Sequence, residues 1–145
     1  MSQENLVVVE AIHAALARGE SPATLGLLHP DIEYVNPPEA VEPGTRRGIA
    51  AYEDAMRSLH DSFEDVRIEV GEIKEVGDQV VVLATFIARG RSSGAQRQHE
   101  DGYVWTVRDG LAVRFQWFND PVKALEAVGL RSSRGGSDAH PPLKY

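Results

Sequence analysis

The chain contains no cysteine. Disulfides, thiolate zinc sites and cysteine nucleophiles are therefore excluded. Positive charge is in short supply: 15 Lys and Arg face 22 Asp and Glu, a net charge of −7. Nucleic-acid affinity is driven by cations, so this balance argues against a phosphate-tracking surface. Basic residues do not cluster with aromatics, and the pair in "TRRG" (45–48) reads as a loop anchor. Apolar runs all fall short of the ~20 residues that span a bilayer, so no membrane is expected as a partner. The start "MSQENLVVVEAIHAALARGE" has no basic segment and carries Glu4 and Glu10, which is not a signal peptide. A cytoplasmic location is the expectation. Close pairs of metal ligands are missing too: the five histidines are His13, His29, His60, His99 and His140, and none stands at i, i+4 from another on one helix. "GRSSG" (90–94) lacks the following helix that a phosphate loop needs. Neither a metal nor an organic cofactor is expected.

What is present is ordinary for one domain. The 145 residues are 42% hydrophobic, enough to bury a core. Residues 4–18 carry Val9, Ile12 and Leu16 at i, i+3, i+7, which predicts a helix. His13 sits beside that stripe and reads as a helix-surface histidine. "SPATLGLLHP" predicts a second, short helix, with Ser21 as cap and Pro22 in the first turn. "DIEYVN" (31–36) is a short strand, and "PPEAVEPGTRRG" an irregular loop, since Pro37, Pro38 and Pro43 cannot sit inside a paired strand. "GIAAYEDAMRSLH" returns to helical spacing through Ile49, Tyr52, Met56 and Leu59.

The period then changes to two. "VRIEVGEI" alternates, and "VGD" (76–78) marks a hairpin turn. "QVVVLATFIARG" is apolar almost throughout, as a strand covered on both faces would be. "RQHEDGYVWTV" is a further strand in which Gly102 suggests a bulge or kink. "RDG" turns tightly into "LAVRFQWFN". Asp120, Pro121 and Gly129 cap, open and end a last helix. Residues 131–145 are rich in Gly, Ser and Pro and read as a flexible tail after a single domain of residues 1–130. Helices first and a strand meander afterwards give an α+β fold, with helices covering one face of a curved antiparallel sheet. A cone of that kind can hold a small ligand in its mouth.

Three stretches carry a resemblance: "AALARGE…LLHPDIEYVNPP", "TRRGIAAYEDAMRSL" and "YVWTVRDGLAVRFQWFNDPVKALEAVGL". Over residues 3–130 the chain resembles the NTF2-like superfamily, and within it the SnoaL-like group that includes ketosteroid isomerase. The resemblance implies a cone-shaped barrel wrapped around its N-terminal helices, an apolar pocket and a homodimer. It also tests the chemistry. The isomerases carry a proton-shuttling aspartate at the end of the first strand, where this chain has Asn36, an amide with no useful basicity. Their oxyanion pair, described for ketosteroid isomerase itself, maps onto Ile12 and onto Gly102 or Tyr103, and a supporting tyrosine onto Met56. Steroid isomerisation by that route is not expected.

The catalytic residues stay unassigned from sequence. "HED" (99–101) is the one dense His/carboxylate group, with His99 and Asp101 on one strand face and Glu100 on the other, and a solvated strand is the preferred reading. Asp120 reads as a cap before it reads as a catalyst. The expected ligand pocket comprises Tyr34, Asn36, Met56, Tyr103, Phe115, Trp117 and Asn119. Aromatics with a few amides and hydroxyls suit a small, flat, hydrophobic molecule. Two functions fit: a binding protein for such a molecule, or an enzyme (isomerase, polyketide-type cyclase or epoxide-hydrolase-like) acting on it.

Overall fold

The structure, a computed structural model, describes residues 3–40 and 42–130. The tail expected at 131–145, with His140, lies outside the described residues. Helix α1 spans Gln3–Ala17 and is followed by a 3-10 turn at Pro22–Leu25. Strand β1 is Leu28–Asn36, β2 Gly44–Arg47, and helix α2 Ile49–Ser62. Strands β3 Phe63–Val76, β4 Gln79–Gly90, β5 Gln96–Arg108 and β6 Leu111–Phe118 form the meander, and α3 Pro121–Ala127 closes the order.

The six strands make one unclosed sheet in the order β2-β1-β6-β5-β4-β3. The meander pairs antiparallel, as expected, whereas β1 runs parallel to β6. β1 precedes the meander and β6 ends it, so no hairpin dictates their relative direction. Register shifts in β3, between Glu64 and Arg67 and between Val70 and Ile73, bend the sheet. Asp109 and Gly110 both take positive φ, 54° and 79°, between the paired Arg108 and Leu111. That is the two-residue turn the Asp-Gly sequence predicts.

Three local expectations change. The short helix at "SPATLGLLHP" contracts to the 3-10 turn, because Gly26 enters the left-handed region at φ 70° and Leu28–Pro30 join β1. Ser21 caps as expected, its Oγ accepting from the Ala23 amide at 3.2 Å. Pro30 is tolerated in β1 because the pairing with β6 shifts register between Leu28 and Glu33. The expected loop contains strand β2, and Pro37, Pro38 and Pro43 all precede it. Arg46 and Arg47 do anchor this edge, pairing with Glu42 and Glu33 at 2.7 Å each.

The sheet has a core on each face, which explains the unbroken apolar run of β4. On the concave face Val80, Val82, Ala84, Tyr103, Trp105 and Phe115 pack with Val9, Ile12 and Tyr52 from α1 and α2. On the outer face Val81, Leu83 and Val104 lie under Ala124, Leu125 and Val128 of the α3 region. Gly102 belongs to this outer packing. It stays in register opposite Leu83 and Phe118, so the expected kink is absent. Its missing side chain is what lets α3 approach: a Cβ there would overlap Ala124 Cβ and lie 3.2 Å from Pro121 Cα. Gly102→Ala should therefore lower unfolding stability by about 1–3 kcal/mol in urea melts, as overpacking does. Adding Ala124→Gly should recover part of the loss. A neutral Gly102→Ala, or a double variant worse than the sum of the single ones, would show that α3 is not pressed against this glycine.

Candidate functional site

The concave face of β5 carries the chemistry. Alternation sends His99, Asp101, Tyr103 and Trp105 inward, opposite Phe86, Ala84, Val82 and Val80 of β4. His99 Nδ1 lies 2.9 Å from Asp101 Oδ1, and the Tyr103 hydroxyl donates to Asp101 Oδ2 at 3.4 Å. The Asp101 side chain is only 6% exposed, whereas that of His99 is 38% exposed. This departs from the solvated strand expected for "HED": the register turns two of its three residues toward the aromatic interior. Burial pushes the Asp101 carboxyl above its ordinary value, and the His99 ring and the hydrogen bonds from His99 and Tyr103 pull it back. Burial first, and the neighbouring carboxylate second, raise the Tyr103 hydroxyl well above the ordinary tyrosine value. At the rim, Phe86 stacks on the His99 ring at 5.0 Å and meets Phe63 edge-on at 5.6 Å.

Deeper in, the aromatic rings converge. Phe115 touches Tyr34, Tyr103 and Trp105, with ring centroids 5.2, 5.6 and 4.5 Å away. Tyr34 also meets Tyr52 edge-on at 5.8 Å, and burial pushes its hydroxyl up to about 12. Met56 packs, half-buried, against the same cluster. The structure thus gathers Tyr34, Met56, Tyr103 and Phe115 around one interior.

Asn36 has a more defined place than its sequence position shows. Its Oδ1 accepts from the Trp117 indole N–H at 2.7 Å, and its Nδ2 donates to the Glu42 carbonyl at 2.9 Å. The amide therefore holds Trp117 and the β1–β2 loop together, and it uses both of its ends. A carboxylate could accept from Trp117 but could not donate to Glu42, which is a physical reason for an amide here. The loop has a second tie, Lys123 to Glu39 at 3.1 Å. Asn119 borders an open cleft of about 670 Å³ together with Thr85, His99, Glu100 and Lys123. Asp120 caps α3 as expected, accepting from the Val122 amide at 2.9 Å.

His13 is the residue that sequence reading misplaced. It is not a surface histidine: its Nε2 accepts from the Trp105 indole N–H at 3.1 Å, and its ring stacks on Tyr103 at 5.9 Å. Burial lowers its pKa to about 4. The signal was available, because position 13 is four residues from Val9 and three from Leu16, inside the stripe. Among the described residues, no group of three or more His, Asp or Glu side chains could hold a metal ion.

Helices on the concave face of a bent, unclosed sheet make this an α+β cone of the NTF2-like type. The chain belongs to the SnoaL-like domain family, whose sequence profile matches residues 9–115. Solved structures agree. An NTF2-like protein of unknown function from Burkholderia pseudomallei is 23% identical, over 87% of this chain and 98% of its own, with a TM-score of 0.72. TerC, co-crystallised with polyporic acid, is 26% identical over 86% of this chain and 98% of its own, with a TM-score of 0.70. A SnoaL-like polyketide cyclase, so described, from Jannaschia sp. CCS1 is 16% identical over 90% and 95%, with a TM-score of 0.71. No curated protein matches the chain. None of the helices among the described residues is long and apolar enough to cross a membrane.

Proposed function

We propose that the domain binds a small, largely hydrophobic molecule against the concave face and moves a proton on it through His99 and Asp101. The observation that carries this reading is the Asp101 carboxyl, buried among aromatic rings and held between His99 and Tyr103. Buried carboxyls with a specific ionisable partner are uncommon in a merely structural core and mark functional sites. Tyr34, Tyr103 and Phe115 form a buried aromatic cluster beside that carboxyl, an apolar setting that suits such a ligand. TerC, the relative co-crystallised with polyporic acid, and the polyketide-cyclase description of another support a small organic ligand in this fold.

The chemistry is a proton shuttle. A ligand C–H or O–H bond breaks, its electron pair stays on the ligand as an enolate or alkoxide, and the proton goes to His99 Nε2. Asp101 accepts from Nδ1–H and neutralises the imidazolium. Return of the proton to another ligand atom completes an isomerisation or ring closure with no other reactant. Asn36 takes no part as a base, since its amide is committed to Trp117 and Glu42. The runner-up reading is a non-catalytic carrier, and the absence of a carboxylate at position 36 speaks for it.

Native mass spectrometry of freshly purified protein is the test of binding, and the same spectrum reports the homodimer we also propose. The expected result is a retained apolar small molecule. The acidic positions of that molecule should then exchange for deuterium faster in the presence of protein. Asp101→Asn should retain the ligand and slow exchange by about 100-fold or more, the usual range for general acid–base catalysis. A protein that carries nothing, and that no apolar compound stabilises thermally, would end the pocket reading. Binding without exchange would leave the carrier.

A further inference from the structure

Strand β5 outruns its partner β6. Their pairing reaches Gly102 and Phe118, and the chain then turns away at 119–121 to start α3. Residues 96–101 of β5 therefore extend past the last pair, with the edge toward β6 uncovered. The open cleft of about 670 Å³ lies there, bordered by Thr85, Gln98, His99, Glu100, Asn119 and Lys123. Its volume is that of a small-molecule site, about 300–1,000 Å³. Val81, Leu83, Thr85 and Ile87 follow one another along the outer face of β4, and Thr85 is the one hydroxyl in that line. Thr85 is 4% exposed. Among the described residues its hydroxyl makes no hydrogen bond, and neither do the side-chain amides of Gln98 and Asn119. A hydroxyl set in an apolar line without a partner costs stability, so its partner has to come from the cleft. Charged groups around the cleft are already engaged: Lys123 with Glu39 at 3.1 Å and Asp120 with the Val122 amide at 2.9 Å. Glu39, Glu100 and Asp120 outnumber Lys123, so the cleft disfavours an anion.

We propose that this cleft is a second binding site, for a neutral polyhydroxylated molecule such as a sugar. Each hydroxyl of such a molecule both donates and accepts. A side-chain amide offers donors and an acceptor, a threonine hydroxyl one donor with acceptor capacity, and a carboxylate accepts. Gln98, Asn119 and Thr85 thus match neighbouring hydroxyls, and Glu100 adds an acceptor at the wall. The site does not depend on a ligand at the concave face. His99, reached past the free edge of β5, borders both.

Methyl β-glucoside and methyl β-glucuronide are the probes, alike in ring and differing in charge. In 1H–15N spectra of the unmodified protein, the glucoside should shift the side-chain NH2 signals of Gln98 and Asn119 and the Lys123 backbone amide, and the shifts should saturate. The glucuronide should bind about two- to fivefold more weakly, as one exposed charge interaction allows. Thr85→Val, of the same shape, should weaken glucoside binding about five- to tenfold, one hydrogen bond's worth. The same variant should resist urea as well as the parent or better, because it replaces an unpaired hydroxyl by a methyl. A Thr85→Val protein that binds the glucoside as the parent does, or that unfolds earlier, would mean that the hydroxyl serves the fold and not the cleft, and the proposal would fall. It would fall equally if Gln98 and Asn119 showed no saturable shift, or if the glucuronide bound as tightly as the glucoside. Shifts that follow protein concentration instead of glucoside would make the cleft a face between copies of the chain. Shifts confined to Tyr103 and Phe115 would place the sugar at the concave face, and either result would overturn the second site.

Discussion

Trp105→Ala is expected to lower unfolding stability by about 3–5 kcal/mol, the range for removing a large aromatic from a core. Trp105 is fully buried at the centre of the concave cluster, against Phe115 at 4.5 Å. Its removal would leave a void between α1 and the sheet, and the β4–β5 ladder is too regular there to collapse into it. It would also strip the donor from His13 Nε2, leaving an acceptor in an apolar enclosure. Trp117→Ala is the proper comparison, because Trp117 is only half-buried and hydrogen-bonds to Asn36 at the edge of the cluster. Urea denaturation should rank Trp105→Ala clearly below Trp117→Ala. An equal or reversed ranking would mean that the centre of the concave core lies elsewhere.

The second large effect depends on pH. The His13 ring has a pKa of about 4 when folded, against 6.5 for the free side chain, through burial. The unfolded chain therefore binds more protons than the folded one between those values. Stability from this group is fully present above about pH 6.5 and is lost as pH falls through 4, on the order of 3 kcal/mol in all. Asp101 acts with the opposite sign. Its folded value is raised, so its contribution is greatest below the ordinary carboxylate range and declines as pH rises through the raised value. The comparison that isolates His13 is the parent minus His13→Phe, since both proteins keep Asp101. That difference, from urea melts at pH 7 and pH 4.5, should shrink toward the acid side. A difference independent of pH would show that the ring titrates in the folded protein as it does in the unfolded chain, and a difference that grew toward acid would show that it is held charged.

These two effects arise where sequence reading was weakest. Helix α1 was predicted almost to its ends from Val9, Ile12 and Leu16, yet His13 was placed on the surface. A helical stripe gives the direction of a side chain but not what lies opposite, and here Trp105 and Tyr103 lie opposite. "HED" shows the same gap. Alternation correctly set His99 and Asp101 apart from Glu100, but alternation has two phases. Only the pairing of Ala84 with Asp101 and of Val82 with Tyr103 turned the first pair inward. Gly102 was noticed for the right property and given the wrong reason, because the helix that needs its missing Cβ lies about twenty residues further along the chain.

The sequence by itself determined the order of elements, the family resemblance, the Asp-Gly hairpin, the Asp120 cap and the loss of a base at position 36. All of these depend on residues close together in the chain, or on the identity of a single side chain. Tertiary structure decided the direction of β1 against β6, the two engaged ends of the Asn36 amide, and the buried contacts of Asp101 and His13. Each of those joins residues distant in sequence. The physical reason is one of desolvation: whether a polar group is an exposed decoration or a poised donor or base depends on which strands and helices exclude water from it. That exclusion exists only once the sheet has bent and α1 has packed into it.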